Sequence, residues 1–288
     1  MLRVALAVVV ASCGRIDFAA RAATDGGPAD AACTAFTAWG APQALTALES
    51  SSNDWGGNIA PDGLTLYFDS DRAGNDDIYV AQRLDRTAPF GAPQTVTELD
   101  GGSFSGNPTV TGDQLEIYFD STRSGQNCMY TATRANTGDT WGAPVEVLCG
   151  YSGPYVTADG LALYFNSVLD STEEGAIYSS TRASRGDAFS NPTLVASLPS
   201  SPASGYPALS GDQLAIYYEA ESGASGLLEL WQATRASSSD AFANPERIPG
   251  IATGAEDVSV TADGLELFFA TAISNNSDLY VTTRSCAN

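Results

Sequence analysis

Carboxylates are the side chains with catalytic potential in this 288-residue sequence, because it contains no histidine. The absence of histidine excludes Ser-His-Asp and Cys-His nucleophilic catalysis, His-ligated zinc and histidine proton shuttles. Two carboxyl groups alone can cleave a glycosidic bond, at a separation of about 5–5.5 Å for retaining and about 6.5–9.5 Å for inverting chemistry. The acids that we regard as candidates for such a pair are Asp54, Glu219, Glu256 and Asp257.

Calcium binding is a second candidate chemistry, in the acidic segment DSDRAGNDD at 69–77. Carboxylate and amide oxygens are the hard ligands that Ca²⁺ prefers. The residues that would supply them are Asp69, Asp71, Asn75 and Asp77. The segment lacks the Glu that closes an EF-hand loop at its twelfth position. A tight bend with Gly74 at positive φ is the simpler interpretation, and no other cofactor is expected.

Aromatic and amide side chains accompany the acids and could form a ligand-binding surface. The candidates are Trp55, Asn58, Asn107, Tyr151, Tyr155 and Tyr206, together with Asp257. Such a mixture suits a sugar, a basic peptide or a cation. Packing of the same aromatic side chains between structural elements is the alternative.

A repeated unit determines where these residues lie. Five copies of an Asp-containing turn precede an aromatic pair: PDGLTLYF (61–68), GDQLEIYF (112–119), ADGLALYF (158–165), GDQLAIYY (211–218) and ADGLELFF (262–269). A strand-like run ending in Arg follows each copy, at 78–83, 129–134, 177–182, 230–235 and 279–284. A repeat of about this length is typical of a propeller or a solenoid.

A second repeated element predicts that the repeats close into a ring. It reads WGAPQAL (39–45), FGAPQTV (90–96), WGAPVEV (141–147), FSNPTLV (189–195) and FANPERI (242–248). The first copy precedes the first Asp turn, and the fifth turn has no copy after it. We therefore predict an all-β, five-bladed β-propeller with four-stranded blades, in which an N-terminal strand completes the last blade. The candidate residues then belong to loops around one mouth of the central channel.

Four of the five cysteines fit this closure. An antiparallel pairing of the third and fourth strands brings Cys286 near Cys33 and Cys128 near Cys149. We therefore predict these two disulfides, with free buried thiols as the alternative. Disulfides require an oxidising compartment and so indicate an exported protein.

The N-terminus predicts both export and a lipid anchor. Arg3 precedes an apolar run, and VASCG at 10–14 resembles the lipobox of bacterial lipoproteins. The run is too short to span a bilayer as a helix. We expect a signal peptide at 1–12, lipidation of Cys13, a flexible tether over 13–35 and the propeller over 36–288. A plain signal peptide followed by an incidental Cys13 is the alternative. Gly14 favours the outer membrane, with the propeller facing the periplasm or the cell surface.

The charge of the chain limits its partners. The formal net charge is −21, with thirteen basic residues and 34 acidic ones. Nothing supplies the basic footprint that nucleic acid requires. Contact with the membrane is expected through the lipid anchor alone.

The motif residues resemble the WD40-like, PD40-type repeats of the TolB propeller family. The resemblance covers about residues 36–286 and is carried by PDG at 61–63, LYFDSDR at 66–72 and GNDDIYVAQR at 74–83. If the four strands of a blade are called a to d in chain order, the resemblance weakens in the b–c loops of blades 3 to 5. The family commonly has six blades rather than five. The resemblance implies an envelope protein that binds other proteins, often without known activity.

Two functions remain open from the sequence. The first is a non-catalytic, membrane-tethered propeller whose loop face binds an envelope protein or a glycan. The alternative is a glycoside hydrolase or another carbohydrate-active propeller that uses the acidic residues. The sequence contains neither a sialidase Asp box nor a clear three-carboxylate pattern of five-bladed glycosidases. We therefore expect no enzymatic activity.

Overall fold

The computed structural model of the chain describes residue 33 and residues 35–101, 104–168, 175–198, 205–221, 227–272 and 276–287. The predicted signal peptide 1–12, Cys13 and nearly all of the tether 13–35 lie outside these residues. The described chain contains twenty strands and one 3₁₀ turn at Thr97–Leu99. Within these residues, no helix is long and apolar enough to cross a membrane.

The strands form five four-stranded antiparallel sheets, each corresponding to one blade. Blade 1 comprises β2 (Asp54–Ile59), β3 (Thr65–Ser70), β4 (Asp77–Gln82) and β5 (Gln94–Thr95). Blade 2 comprises β6 (Ser105–Val110), β7 (Glu116–Ser121), β8 (Cys128–Thr133) and β9 (Val145–Cys149). Blade 3 comprises β10 (Tyr151–Val156), β11 (Ala162–Ser167), β12 (Ile177–Thr181) and β13 (Thr193–Leu194).

Blade 4 comprises β14 (Gly205–Leu209), β15 (Ala215–Glu221), β16 (Leu228–Thr234) and β17 (Ala243–Arg247). Blade 5 comprises β18 (Ala255–Val260), β19 (Glu266–Ala272), β20 (Ser277–Thr283) and the N-terminal β1 (Gln43–Ala44). The innermost strands contact one another in the cyclic order β2, β6, β10, β14, β18 and β2. The predicted five-bladed, all-β propeller is therefore confirmed.

The N-terminal strand closes the ring as the permuted repeat predicts. Gln43 pairs with Val281, and Ala44 pairs with Tyr280. Backbone hydrogen bonds from Gly40 N to Thr283 O and from Leu45 N to Leu279 O extend the pairing on both sides. The last blade is thus built from both ends of the described chain.

The hydrophobic core lies between the blades. The second strand of blade 1 is buried along its whole length, and its alternate side chains face different neighbours. Leu66 and Phe68 pack with Phe268 and Leu279 of blade 5, whereas Tyr67 packs in the cluster shared with blade 2. The buried side chains form five such clusters in the described chain.

The repeated Arg at the end of each third strand joins three elements. In blade 1, Arg83 Nη2 donates to Gly63 O of the Asp turn at 2.6 Å, and its guanidinium lies 4.9 Å from the Phe90 ring. The same Nη2 lies 2.6 Å from Glu266 Oε2 of blade 5. Corresponding stacks pair Arg134 with Trp141, Arg182 with Phe189, Arg235 with Phe242 and Arg284 with Trp39. The motif that revealed the repeat therefore holds turns, blades and neighbours together.

The predicted disulfides Cys33–Cys286 and Cys128–Cys149 are both present, with Cα–Cα distances of 5.3 and 4.1 Å. The first crosses the seam between the two ends of the chain, and the second lies within blade 2. Two disulfides indicate that the protein is exported to an oxidising compartment.

Removing the seam disulfide is expected to destabilise the fold more than removing the blade 2 disulfide. The sequence separations are 253 and 21 residues, and a cross-link stabilises more when it closes a longer loop. We expect a Cys33→Ser, Cys286→Ser variant to lose about 2 kcal/mol more unfolding free energy than a Cys128→Ser, Cys149→Ser variant. Chemical denaturation of both double variants measures this difference, and equal losses would contradict the prediction.

Candidate functional site

The five innermost strands line a central channel and share one unusual backbone position. The residues there have positive φ: Gly56, Asn107, Gly153, Tyr206 and Asp257. The pairing with the second strand shifts register at this point in each blade. Such bulges change the direction of the neighbouring backbone and side-chain groups. In this ring they leave a backbone N–H available to a side chain of the adjacent blade.

Carboxylates of the second strands accept these N–H groups across the blade boundaries. Asp69 Oδ1 accepts from Asn107 N at 2.9 Å, and Asp120 Oδ2 accepts from Gly153 N at 2.8 Å. Glu219 Oε2 accepts from Asp257 N at 3.1 Å. These three acids each stand seven residues after the repeated turn Asp, so one repeat position supplies them all.

The other two blade boundaries depart from the pattern. Blade 5 has Ala270 at the equivalent position, and the Asp257 side chain substitutes for the missing acid by accepting from Gly56 N at 3.1 Å. Blade 3 has Asn166, which is 5% exposed and whose Oδ1 has no hydrogen-bond partner. A Cβ built on Gly153 would lie 2.6 Å from this oxygen. An unsatisfied amide oxygen therefore lies at the channel wall.

Burial makes the four carboxyls weak acids, and the charges of neighbouring acids add to this effect for Asp69, Glu219 and Asp257. Burial and then the charge of Asp257 raise the pKa of Asp69 well above its usual value. Burial raises the pKa of Asp120 to about 6. For Asp257, burial and then Glu256 raise the pKa to about 7, and burial with the Asp257 charge also raises the pKa of Glu219. No arginine of the described chain contributes to these four shifts.

The channel encloses a cavity of about 300 Å³, counting the space open to solvent. Four of the predicted ligand-binding residues line it: Asn58, Asn107, Tyr206 and Asp257. Gly56, Gly57, Gly153 and three prolines complete most of the wall.

The remaining aromatic candidates lie elsewhere. Trp55 packs against the hydrophobic cluster between blades 5 and 1. Tyr151 packs on Phe165, with ring centroids 4.9 Å apart. Tyr155 lies at the opposite end of the channel, where its hydroxyl donates to Leu209 O at 2.8 Å. Among these aromatics, Tyr206 is thus the one at the carboxylate ring.

The four predicted catalytic acids do not converge as a group. Asp54 is buried and lies 2.5 Å from Arg72 Nη2, and it also accepts from Ser50. Glu256 accepts from Ser277 Oγ at 3.1 Å. The structure brings Glu219 and Asp257 together through a side-chain contact to a backbone N–H, and the charge of Glu256 is close enough to raise the pKa of both.

The four predicted calcium ligands have separate partners. Asp69 belongs to the channel ring, and Asp71 accepts from both nitrogens of Asn53. Asp77 lies against Asp100; burial and then that neighbour raise the pKa of Asp77 to about 6. Asn75 is exposed. Among residues with described positions, the one group of three closely spaced potential ligands is Cys128, Glu146 and Cys149, whose sulfurs form a disulfide.

Asp120, Ser152 and Asn166 are site residues that the sequence analysis missed. Asp120 Oδ2 accepts from Ser152 Oγ at 2.6 Å and from Asn107 Nδ2 at 3.0 Å. The available signal was a polar residue at the seventh position after the turn Asp in four of the five repeats, inside strands that are otherwise largely apolar or aromatic. Buried polar groups at one repeat position predict a common internal contact.

The raised carboxyl pKa values predict that the fold is more stable at mildly acidic pH. An acid whose pKa is higher in the folded state stabilises the fold when protonated, and this stabilisation is lost as pH rises from about 4 towards the folded pKa. Asp120, with a pKa of about 6, alone should make unfolding about 1.4 kcal/mol less favourable at pH 5 than at pH 8. Urea denaturation at both pH values tests this. Asp120→Asn should reduce the difference, and a stability that rises from pH 5 to pH 8 would contradict the prediction.

Solved structures share this fold at low sequence identity, whereas no family model and no curated protein matches the sequence. TolB from Acinetobacter baumannii aligns with a TM-score of 0.53 and 16% identity over 83% of this chain. A GH43_1 enzyme from Xanthomonas citri aligns with a TM-score of 0.59 and 12% identity, covering 83% of this chain and 90% of that chain. An α-L-arabinofuranosidase from Lactobacillus brevis aligns with a TM-score of 0.55 and 16% identity, covering 84% of this chain and 94% of that chain.

These similarities establish the propeller fold and no more, because each identity is below 25%. The chain spans 56% of the length of the Acinetobacter TolB chain. TolB proteins and glycoside hydrolases both occur among the structures that share the architecture. The fold is therefore compatible with a binding protein and with an enzyme, and the distinction depends on the site.

Proposed function

We propose that this protein is a non-catalytic, envelope-tethered lipoprotein whose propeller binds a protein or glycan partner through the face formed by the b–c and d–a loops. One observation carries the proposal: three second-strand carboxyls and Asp257 each accept a backbone N–H from an adjacent blade. Acids with this structural task are poorly placed to exchange protons with a substrate. The PD40-like motifs and the lipobox at 10–14 support a tethered envelope protein of the TolB-like kind.

Capture from native envelope tests the proposed binding. The mature protein, immobilised through its tether, should retain a specific envelope protein, or it should bind defined sugars on a glycan array. A Cys13→Ser variant tests the anchor, because it should move from the membrane fraction to the soluble fraction. Absence of any saturable partner on both screens, with the protein folded, would contradict the proposal.

Glycoside hydrolysis is the second candidate, favoured by the adjacent Glu219 and Asp257. The pKa of Asp257 is raised to about 7, as is useful for a general acid near neutral pH. Several structures of the same fold are glycoside hydrolases. Assays on a panel of glycosides should show no turnover if the binding proposal is right. A specific rate abolished by Glu256→Gln, Glu219→Gln or Asp257→Asn would establish the enzyme instead.

A further inference from the structure

We propose that the propeller ring opens first between blades 3 and 4, and that this boundary is the flexing point of the ring. Opening here means that the facing surfaces of the two blades separate while the strands within each blade stay paired. It is a property of the ring itself and does not depend on what the protein binds. Three features distinguish this boundary from the other four.

The first feature is the absence of the carboxyl contact that the other four boundaries make. At each of those, an aspartate or glutamate accepts a backbone N–H of the adjacent blade. Blade 3 has Asn166 instead, which packs against blade 4, since a Cβ built on Gly205 would lie 2.9 Å from Asn166 Cγ. The amide oxygen of Asn166 nevertheless accepts no hydrogen bond. A hydrogen bond that fastens the other boundaries is therefore missing from this one.

The second feature is the absence of the arginine contact across the boundary. In blade 4, Arg235 donates to Gln213 O of its own blade at 2.8 Å and stacks on Phe242. Among the residues that the structure describes, no acceptor in blade 3 bonds to Arg235. Blade 3 has Ala162 at the repeat position where blades 2 and 5 have glutamate. The arginines that do reach the preceding blade, with their acceptors, are Arg83 to Glu266, Arg134 to Tyr67, Arg182 to Glu116 and Arg284 to Tyr217.

The third feature is a set of three buried polar atoms that have no hydrogen-bond partner. Besides Asn166 Oδ1, they are the Tyr218 hydroxyl and the Trp231 indole nitrogen. The side chains of Tyr218 and Trp231 pack in the hydrophobic cluster between the two blades, which also contains Tyr164 and Ile177 of blade 3. A buried polar atom without a partner raises the free energy of the closed state. Opening would admit water to all three atoms and recover this cost.

Neutral contacts hold the boundary closed in the resting state. The Tyr155 hydroxyl donates to Leu209 O at 2.8 Å, and the Tyr206 hydroxyl forms a hydrogen bond with Ser152. The apolar cluster supplies the rest of the contact. Hydrogen bonds between neutral groups contribute less than those to charged groups. The boundary is therefore closed, but it is fastened less firmly than its neighbours.

The seam is fastened more firmly, although it joins the two ends of the described chain. The disulfide Cys33–Cys286 crosses it. At the adjacent boundary, between blades 5 and 1, the buried ion pair of Arg83 with Glu266 adds to the contact of Asp257 with the Gly56 N–H. Local opening starts where the fewest interactions must break. We therefore place it between blades 3 and 4 and not at the seam.

Indole hydrogen exchange on the unaltered protein tests this placement. The Nε1–H groups of Trp231 and Trp39 are both buried and both lack an acceptor. Trp39 lies at the seam, where it stacks on Arg284. We expect the Trp231 indole proton to exchange with D₂O at least about tenfold faster than that of Trp39, as followed by NMR. Equal rates, or faster exchange of Trp39, would overturn the inference.

Three single-cysteine variants locate the opening by thiol labelling under native conditions. Ala81, Ala132 and Ala233 occupy the same third-strand position, and all three are buried. They lie in the clusters of the 5–1, 1–2 and 3–4 boundaries, respectively. In a Cys13→Ser background, the thiol of Ala233→Cys should react with a water-soluble maleimide at least about tenfold faster than the other two. Denaturant unfolding of each variant gives the labelling through global unfolding, which is subtracted, and equal remaining rates would refute the proposal.

Supplying the missing acid should close the boundary. Ala162→Glu places a carboxyl group at the repeat position from which Glu116 meets the arginine of the next blade. Added to Ala233→Cys, it should slow labelling at least about fivefold. Ala215→Glu, at the same repeat position of blade 4, is the matched control and should leave the rate unchanged. An undiminished rate in the Ala162→Glu protein, or equal slowing by both substitutions, would overturn the inference.

Discussion

Gly56→Ala is expected to lower the free energy of unfolding by about 2–5 kcal/mol. Gly56 has a φ of +59°, and a Cβ there would lie 2.0 Å from Asp69 Oδ1. Asp69 has little freedom to retreat, because the same oxygen accepts from Asn107 N across the blade boundary. The loss combines about 1–2 kcal/mol for left-handed backbone with about 1–3 kcal/mol for forced packing.

Gly254→Ala is the matched control for this prediction. Gly254 has a φ of +86°, and no atom of another element lies within 4 Å of a Cβ built on it. Its substitution should cost only the backbone part, about 1–2 kcal/mol. Denaturant unfolding of both variants and the parent measures the two losses. Equal losses would contradict the prediction, because they would mean that Asp69 does not resist a methyl group at position 56.

Arg83→Met is expected to cost about 3–5 kcal/mol, the usual effect of removing one member of a buried ion pair. Glu266 then keeps only its longer contact to Arg86 Nε, at 3.6 Å. The side chains of Arg83 and Glu266 are 5% and 9% exposed and their charged atoms lie 2.6 Å apart. The substitution also removes both hydrogen bonds to Gly63 O. Methionine retains most of the contact with Phe90, so the loss reports polar interactions more than packing.

A second substitution separates the free-energy cost of the Glu266 charge from the cost of the lost hydrogen bonds to Gly63 O. Adding Glu266→Gln to Arg83→Met should restore part of the stability, because a neutral amide is cheaper to bury than a carboxylate. Arg86→Met is the exposed comparison: Arg86 pairs with Asp263 at 2.5 Å, with both side chains more than a third exposed, and its Nε lies 3.6 Å from Glu266 Oε2. Exposed pairs contribute about 1 kcal/mol or less. A loss from Arg83→Met as small as that from Arg86→Met would refute the prediction.

The fold was predictable because each repeated residue type has one local task. The turn Asp accepts from the backbone two residues later, as Asp62 does from Leu64 N at 2.7 Å. The Arg of the third strand stacks on the aromatic residue of the fourth-strand element. Since these contacts recur in every blade, the number of repeats in the sequence gives the number of blades. The first copy of the fourth-strand element, at 39–45, precedes the first turn Asp, and this displacement located the seam of the ring and one disulfide.

The site was harder to predict because its contacts join strands of different blades through the backbone. Asp69 was interpreted as part of a loop, although it lies in the second strand and its carboxyl contacts the first strand of the next blade. Its partner is a main-chain N–H, which has no residue signature in the sequence. The positive φ of Asn107 and Tyr206 is equally invisible, since neither is a glycine. Aromatic residues at the start of the first strand were assigned to the mouth, and Trp55 instead packs between blades.

The shared last blade has a consequence for synthesis and export. A chain that crosses a membrane from its N-terminus delivers residues 43–44 long before the segment 280–281 that pairs with them. Blade 1 is therefore delivered long before blade 5, its neighbour in the closed ring. Blade 5 forms only after nearly the whole polypeptide has been delivered. Contacts of such long sequence separation slow folding. We therefore expect the exported chain to depend on holdase chaperones until its C-terminus is released, and to complete folding in one late step.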